Sequence, residues 1–599
     1  MKKLKILFSY LKNYKGVYSL AVLFTILSQV VVAMQPQLAK ITIDSVIFQK
    51  ALKTDRLSRL MSFFLKSKDL KTGLIIMTIA FIIFAVLRSL LTFARITLAT
   101  QATESAVKEL RDKLYNHIQL LPFSTHAQLK TGDLIQRCTT DIENIRLALY
   151  SQIMDIISSV FLMIYVLYLM FQTNTELVFY IFGTILLIFI TSIVFFKMVE
   201  KQFEQTEKSE AKMTTVIQEN LTGIRVIKAF LLHKNEIKKF KKASDDFAGK
   251  DFKLVKSYAL FWGVLDALVL LQISGVIILG SVLAYHSRLT VGELVAFISY
   301  TGMFSYPITN LARTITNIGK SFVASRRIEE ILKKPAEQIF PTKNKPNIYG
   351  KIEFNSVSFA YPDTPDNLIL DKLSFTIEEG QTVAILGHTG SGKSSLAYLL
   401  SRLYEYNSGS IKLNGHELNT IDKGWVRSNI GLILQEPFLY GKTILENIKL
   451  AAPYHSEDTV RHFSKIAALD DDIMKFEEGY NTMVGERGVS LSGGQKQRLV
   501  IARTLIKNTP IIIFDDSLSA VDAETDIKIQ KALNKQRQKK KSQTVIIISH
   551  RISTISNADK ILVLKNGKLV EEGTHAELLK KDGWYKKVYQ IQSGLTNQE

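Results

Sequence analysis

The sequence predicts two kinds of structure in one chain: an all-α polytopic membrane domain of six transmembrane helices with long cytoplasmic extensions, then an α/β P-loop domain. Three observations carry that prediction. Six apolar windows of spanning length fall before about residue 315. Beyond Gly350, short β-branched runs alternate with helical patterns, the mark of an α/β domain. One of those runs leads into Gly387-His388-Thr389-Gly390-Ser391-Gly392-Lys393-Ser394, which satisfies G-x-x-x-x-G-K-[ST] at each specified position. The boundaries expected are 1–325 for the membrane domain, 326–349 for a linker and 350–599 for the nucleotide-binding domain.

The six windows run from about Val17 to Met34, Gly73 to Phe93, Ile153 to Phe171, Glu176 to Phe196, Ala259 to Tyr285 and Val291 to Leu311. A hydrocarbon core of about 30 Å takes roughly 20 helical residues, and most of these windows lack a polar face. Windows three and four form a hairpin over Gln172-Thr173-Asn174-Thr175. The N-terminal MKKLKILFSYLKNYKG reads as a basic amphipathic segment on the cytoplasmic face, because Lys12 and Lys15 break its apolar run and no small-residue cleavage site follows. Six spans return the chain to the cytoplasm. The Lys-rich segments Thr97–Ser151 and Lys197–Ser257 then also lie inside, as the positive-inside rule asks. The first external loop is an exception, with Lys50, Lys53, Arg56, Arg59, Lys66, Lys68 and Lys71 against Asp55 and Asp69. The chain is therefore expected as a multi-pass protein of the cytoplasmic membrane.

Composition agrees and narrows the partners. The chain has 599 residues, 47% of them hydrophobic and 22% charged, with a formal charge of +21. That charge fits either nucleic acid or an anionic membrane surface together with an anionic nucleotide. Six spans favour the second, and no nucleic-acid partner is expected. The single cysteine, Cys138, excludes an internal disulfide framework and a zinc site built on several thiolates. Arg88, Asp155 and Asp266 lie within or at the edge of the windows, near the inner-leaflet level. A charge facing lipid costs about 2.5–3.5 kcal/mol even on the lenient scale. Such residues either line an inward-facing cavity or sit just below the membrane, and the sequence leaves both readings open.

In the second half, Thr382–Leu386 is a short buried strand feeding the P-loop. Glycines let backbone N–H groups turn toward phosphate oxygens, and the helix that follows adds its positive end. Lys393 is placed to reach the β/γ-phosphates and Ser394 to ligate Mg²⁺. A second strand, Ile511–Phe514, ends in Asp515-Asp516, where Asp515 can hold the Mg²⁺ shell. A third, Val545–Ser549, ends in His550, within reach of a γ-phosphate.

Leu491-Ser492-Gly493-Gly494-Gln495, followed by a helix opening Lys496-Gln497-Arg498, resembles the LSGGQ signature of ATP-binding cassette proteins. The resemblance covers essentially the whole chain: six spans, then one cassette, the layout of a bacterial exporter half-transporter of the multidrug or lipid type. It implies ATP and Mg²⁺ as ligands and a helical subdomain in the cassette. Tyr361 looks like the aromatic that stacks on adenine, and base–aromatic stacking is worth about 1–3 kcal/mol in single-strand binders. Gln435, after strand Ile430–Leu434, looks like the Q-loop residue that senses Mg²⁺ and the lytic water. Gly387 through Ser394, with Ser395, would contact the nucleotide from one side and Ser492, Gly493, Gly494 and Gln495 from the other. Ser519-Ala520-Val521-Asp522 resembles the D-loop, and Gly485-Glu486-Arg487-Gly488 the segment before the signature. In the family the signature serves the ATP of the opposite subunit, so two cassettes close over two nucleotides. By the same resemblance, the levers that pass closure to the membrane helices are near Pro122–Gln128 and Glu219–Ala229.

One position departs from the pattern. Fully active members carry Glu after the Walker B Asp, and here that residue is Asp516. A carboxylate one methylene short, misplaced by about 1 Å, costs roughly 10²-fold in rate, or about 2.7 kcal/mol of barrier. Catalysis is expected to involve Asp516, His550 and Gln435, and metal binding Ser394, Gln435 and Asp515. The Asp variant resembles one half of heterodimeric exporters, whose second half-transporter, a different chain, carries the catalytic Glu. The function implied is ATP-driven export of amphipathic or lipophilic compounds (drugs, lipids or small peptides). The alternatives are a homodimeric exporter and a non-transporting, ATP-gated regulatory or channel subunit.

Overall fold

A computed structural model describes residues 2–49, 69–337, 344–485, 491–518, 521–539 and 543–594. The expectations for Lys50–Lys68, for Pro341, for Glu486-Arg487-Gly488 and for Ser519-Ala520 lie outside them. The chain divides into two compact units, one of residues 1–116 and 134–333, the other of residues 117–133 and 334–599.

The first unit is helical. Its principal helices are α1 (Lys2–Tyr10), α2 (Lys15–Ile41) and α3 (Leu70–Gln119). In the second unit the short α4 (Phe123–Gln128) follows. The first unit resumes with α5 (Ile153–Thr173), α6 (Thr175–Thr222), α7 (Ile224–Ala229), α8 (His233–Tyr285) and α9 (Val291–Leu332). Among the described residues, five helical stretches are long and apolar enough to cross a membrane, and α9 carries a shorter apolar stretch, Val291–Phe304, ahead of Pro307. At about 1.5 Å per residue, the 50 residues of α3 and the 53 of α8 reach about 75 and 80 Å, far beyond the hydrocarbon core. The polar continuations are thus the same helices carried past the bilayer. The expected four-residue turn between windows three and four narrows to Asn174 alone, whose side chain caps α6 by accepting from the Leu177 N–H at 3.1 Å. The linker expected from residue 326 likewise begins later. α9 runs on to Leu332, with Arg326–Glu330 and Lys333–Glu329 pairs one turn apart along its end.

Ala33, Met170, Ile181, Val276, Phe297 and Tyr300 are buried together in the helical unit, and the Tyr300 hydroxyl donates to the Ala33 carbonyl at 3.2 Å. Outward, Leu90, Phe93 and Phe179 are 60–71% exposed. Helices apolar on this outer side require hydrocarbon as their solvent. At one end of the unit Lys40 pairs with buried Glu293 at 3.4 Å, and Asp44 accepts from the Gly292 N–H at 2.9 Å.

The second unit is α/β. Its strands are β1 (Ile352–Phe359), β2 (Leu370–Ile377), β3 (Thr382–Gly387), β4 (Ser408–Leu413), β5 (His416–Glu417), β6 (Ile430–Ile433), β7 (Ile511–Asp515), β8 (Thr544–Ile548), β9 (Lys560–Lys565) and β10 (Lys568–Gly573). β2-β1-β4-β5 form an antiparallel sheet. The other sheet has the order β10-β9-β3-β8-β7-β6, parallel except for β10. Alternation along its central strands separates two cores. Ala384, Leu386, Ile512, Phe514, Val545 and Ile547 face one, while Val383, Ile385, Ile511, Ile513, Ile546 and Ile548 face the other. Strands buried on both faces read as unbroken apolar runs, which is how they stand in the sequence. Helices α10 (Lys393–Leu400), α11 (Gly493–Leu505), α12 (Ile552–Ile555) and α13 (Trp584–Gln592) concern the site. Short helices Ile444–Lys449, Glu457–Ile466 and Asp470–Ile473 pack beside α11 as a helical part of this unit.

Candidate functional site

Parallel strands place functional residues at their C-terminal ends, where the loops leave the sheet. β3, β7 and β8 are adjacent, so their ends converge. Asp515 lies opposite Ile548 in the β7–β8 register, which brings Asp516 and His550 together although 34 residues separate them.

The loop from β3 to α10 closes at Gly392, whose φ of +94° belongs to the left-handed region. A Cβ there would stand 2.6 Å from Leu370 and 2.9 Å from the Ile369 carbonyl, so glycine is required both by conformation and by space. Lys393 Nζ donates to the carbonyls of Gly387 at 2.8 Å and His388 at 2.9 Å. Ser394 Oγ donates to Asp515 Oδ1 at 2.8 Å. Burial pulls Lys393 below its ordinary value, against the pull of Asp516 and Asp515. Burial pushes Asp515 up, the Ser394 hydrogen bond opposes it, and neighbouring Asp516 adds to the rise. Each group is thus driven toward neutrality by its surroundings.

Asp516 has a φ of +45°, rare for a residue with a side chain, and its N–H is tied to the Ile548 carbonyl at 2.9 Å. Its Oδ1 lies 3.0 Å from His550 Nδ1, and its Oδ2 accepts from Gln435 Nε2 at 3.5 Å. Of the three residues expected to act together in catalysis, Asp516 thus contacts both of the others. Tyr361 is set by edge-on packing against Phe359 and Tyr404, and its hydroxyl lies 2.9 Å from Ser395 Oγ.

A cavity of about 770 Å³ gathers these groups. Tyr361, Gly387, His388, Thr389, Gly390, Gly392, Lys393, Ser394, Ser395, Gln435, Asp515, Asp516 and His550 all line it. Ser391 does not. It lies beneath, fully buried, with its Oγ lacking a hydrogen-bond partner among the described residues. Ser492, Gly493, Gly494 and Gln495 are also outside the cavity wall. Ser492 caps α11 and forms a reciprocal box with Gln495, at 3.0 and 3.3 Å. That box starts the helix at Gly493 rather than at Lys496, and the S-x-x-Q pattern was its signal in the sequence. Fully buried Gln497 ties α11 to the residue that follows β6, just before Gln435, through the Leu434 carbonyl at 3.3 Å.

The donor set fits Mg²⁺ with a nucleoside triphosphate. Ser394 and Asp515 offer hard oxygens side by side, Lys393 supplies a cation, and the orphaned Ser391 hydroxyl and the glycine-built loop leave the cradle to backbone. Sequence reasoning missed Trp584, Val588 and Gln592 of α13, which also line the cavity. They recur every fourth residue on one helix face, a pattern equally expected of plain packing.

The two expected levers differ. Helix α4 belongs to the second unit, where Phe123 packs on Tyr404 and Tyr398 at 5.6 and 6.0 Å between ring centroids. Around α7, Leu221, Val226, Phe230 and Leu231 are 55–75% exposed. Of the ionisable residues in the apolar windows, Asp155 is half-buried and Arg88 and Asp266 are exposed.

The family profile of the ABC transporter transmembrane region matches residues 18–308, and the ABC transporter profile matches residues 370–519. The chain is 33% identical to the uncharacterized ABC transporter ATP-binding protein YknU of Bacillus subtilis over 99% of its own length and 98% of the relative's. It is also 33% identical to a Staphylococcus aureus protein named for multidrug export as an ATP-binding/permease protein, over 93% and 94%. The solved structure of a bacterial Atm1-family ABC exporter with ATP bound matches with a TM-score of 0.76 at 25% identity, over 96% of this chain and 98% of that one. The chain belongs to the ABC transporters, and is an ATP-hydrolysing, multi-pass membrane half-transporter with a helical transmembrane domain followed by one nucleotide-binding domain.

Proposed function

We propose that the protein exports amphipathic or lipophilic compounds (drugs, lipids or small peptides) across the cytoplasmic membrane by alternating access. Its N-terminus and cassette lie in the cytoplasm. It works as one subunit of a heterodimer and contributes the hydrolysis-impaired site. The multidrug export named for the Staphylococcus aureus relative supports the substrate class. Asp516 carries the heterodimer reading.

In this reading Tyr361 stacks on adenine and Lys393 and the loop amides hold the phosphates. Ser394, Asp515 and Gln435 hold Mg²⁺, which when bound neutralises charge on the phosphate oxygens. Asp516 would accept a proton from the attacking water, steadied by His550 and Gln435. Its side chain, one methylene shorter than glutamate, limits how far the carboxylate extends, so that step is slow. The capped end of α11, with Gly493 open to solvent, serves ATP on the partner's P-loop. The exposed apolar tip around α7 supports a second subunit as well, since Phe230 and Leu231 need a cover. Arg88, Asp155 and Asp266 line the inward-facing cavity, and neutralising either aspartate changes transport of some substrates or basal ATPase.

The test is co-purification followed by ATPase measurement on the chain alone and on the complex. Slow turnover alone and fast turnover with a Glu-bearing partner are expected, with Asp516→Asn nearly silent in the pair. A fast, cooperative ATPase from the chain alone would establish a homodimer. Turnover that no drug, lipid or peptide stimulates, alongside a nucleotide-gated current, would establish a channel subunit.

A further inference from the structure

The mechanism above uses the imidazole of His550 but leaves open what holds its backbone. His550 follows β8 in a loop that ends at the one-turn helix α12. Before it, the Ser549 N–H is fixed to the Ile385 carbonyl at 3.3 Å. After it, the Arg551 guanidinium reaches the Val521 carbonyl at 3.3 Å. The peptide of His550 itself is held from α13. Gln592 Nε2 donates to the His550 carbonyl at 2.7 Å, and Gln592 Oε1 accepts the Ile552 N–H at 2.8 Å. One primary amide thus makes the two bonds that a neighbouring β-strand would make, in a segment that has no strand beside it among the described residues.

The helix that presents this amide is itself well seated. Tyr585 is fully buried, and its hydroxyl lies 2.6 Å from His575 Nδ1. The Glu571 carboxylate accepts the N–H groups of Trp584 and Tyr585 at the start of α13. Trp584, Val588 and Gln592 share one face and border the same cavity as His550 and Asp516. A clip at the far end of such a helix transfers its rigidity to the loop.

We propose that Gln592 is a positioning residue for ATP hydrolysis: its side-chain amide clips the backbone of residues 550–552 and so aims the His550 imidazole at Asp516 and the γ-phosphate. The role rests on the function assigned to His550 above. The clip removes freedom from a short loop whose side chain must meet its target within a fraction of an ångström.

Two substitutions in the full-length chain in lipid nanodiscs test this. Gln592→Met keeps the length and apolar stem but removes donor and acceptor. Gln592→Glu keeps the acceptor for Ile552 and loses the donor for His550. Hydrogen exchange of the Ile552 amide, measured without nucleotide, should accelerate about tenfold or more in the Met variant and less in the Glu variant. Single-turnover hydrolysis of Mg·ATP by this chain should slow roughly tenfold with Gln592→Met while its ATP Kd stays within about twofold. Adding Gln592→Met to His550→Ala should cost nothing further. An unchanged Ile552 exchange rate would disprove the clip. Unchanged turnover, or losses that add fully to those of His550→Ala, would disprove the positioning role. A wild-type chain that does not bind ATP would instead overturn the functional reading, and the binding measurement shows this before any variant is made.

Discussion

Two helices in this chain begin at glycines, α10 and α11, and they begin in different surroundings. At α10 the glycine loop is walled by its own chain: Ser394 stands against Asp515, and Tyr361, Gln435 and His550 line the same cavity. At α11 the same chemistry of glycine and free N–H groups faces outward, its cap satisfied by Ser492 and Gln495 and its Gly493 open. A left-handed, uncapped Gly392 starts the first and a Ser492–Gln495 box the second, and among the described residues the cavity walls stand at the first. In the function proposed above, the second is half of a site whose other half is the P-loop of a second subunit.

The largest effect expected is at the enclosed end. Lys393→Ala removes the cation among the phosphate oxygens and should weaken ATP binding or turnover at this chain's site by about 10²–10³-fold. Equilibrium binding and single-turnover hydrolysis on the full chain check it. At the open end, Gly493→Glu places an anion where a phosphate should approach. Turnover of the complex should fall about 10²-fold while the chain's own ATP Kd stays within about twofold. Equal loss of the chain's own binding would erase the distinction between the two helix ends. Next is Asp516→Glu, which restores the missing methylene. It should raise hydrolysis at this site by up to about 10²-fold, read by single turnover, unless the left-handed backbone at 516 misdirects the longer arm.

The smallest effect is on stability. Burial raises the Asp515 pKa, so the folded cassette holds this proton more tightly than the unfolded chain does. The contribution from the protonated form is present at low pH. It is lost as pH rises from the ordinary carboxylate value through the raised one. Without nucleotide, Asp515→Asn should therefore raise the Tm at neutral pH by about 2–4 °C. The gap should close at a pH below the ordinary carboxylate range. A gap independent of pH would mean that burial of the charge is not the cause.

Much of this was legible in the sequence because the signals are local. Apolar windows of spanning length locate the membrane helices, and β3 and β7 stand as unbroken apolar runs beside the P-loop and Asp515. What the sequence did not show depends on distant residues. The contact of Asp516 with His550 follows from β7 and β8 being neighbours, which no local pattern encodes. Phe123 joins the cassette unit because Tyr398 and Tyr404, some 280 residues on, offer it a surface. Gln592 is one polar residue at the end of a short helix, and its importance appears only where its amide meets the loop at His550. The start of α11 is a different case, since the capping box was present in the sequence and outweighs the breaking tendency of its two glycines.

The central claim is that the open signature end acts on a nucleotide held by another subunit. The direct measurement places a thiol at Ser492 by Ser492→Cys, in a Cys138→Ser background, and supplies an ATP analogue with a thiol-reactive γ-phosphate to the assembled complex. The account predicts that label reaches residue 492 when the partner's P-loop is intact and is lost when that loop is disabled, whatever the state of Lys393. Absence of label in every nucleotide state, or labelling that depends on Lys393 of the same chain, would contradict it.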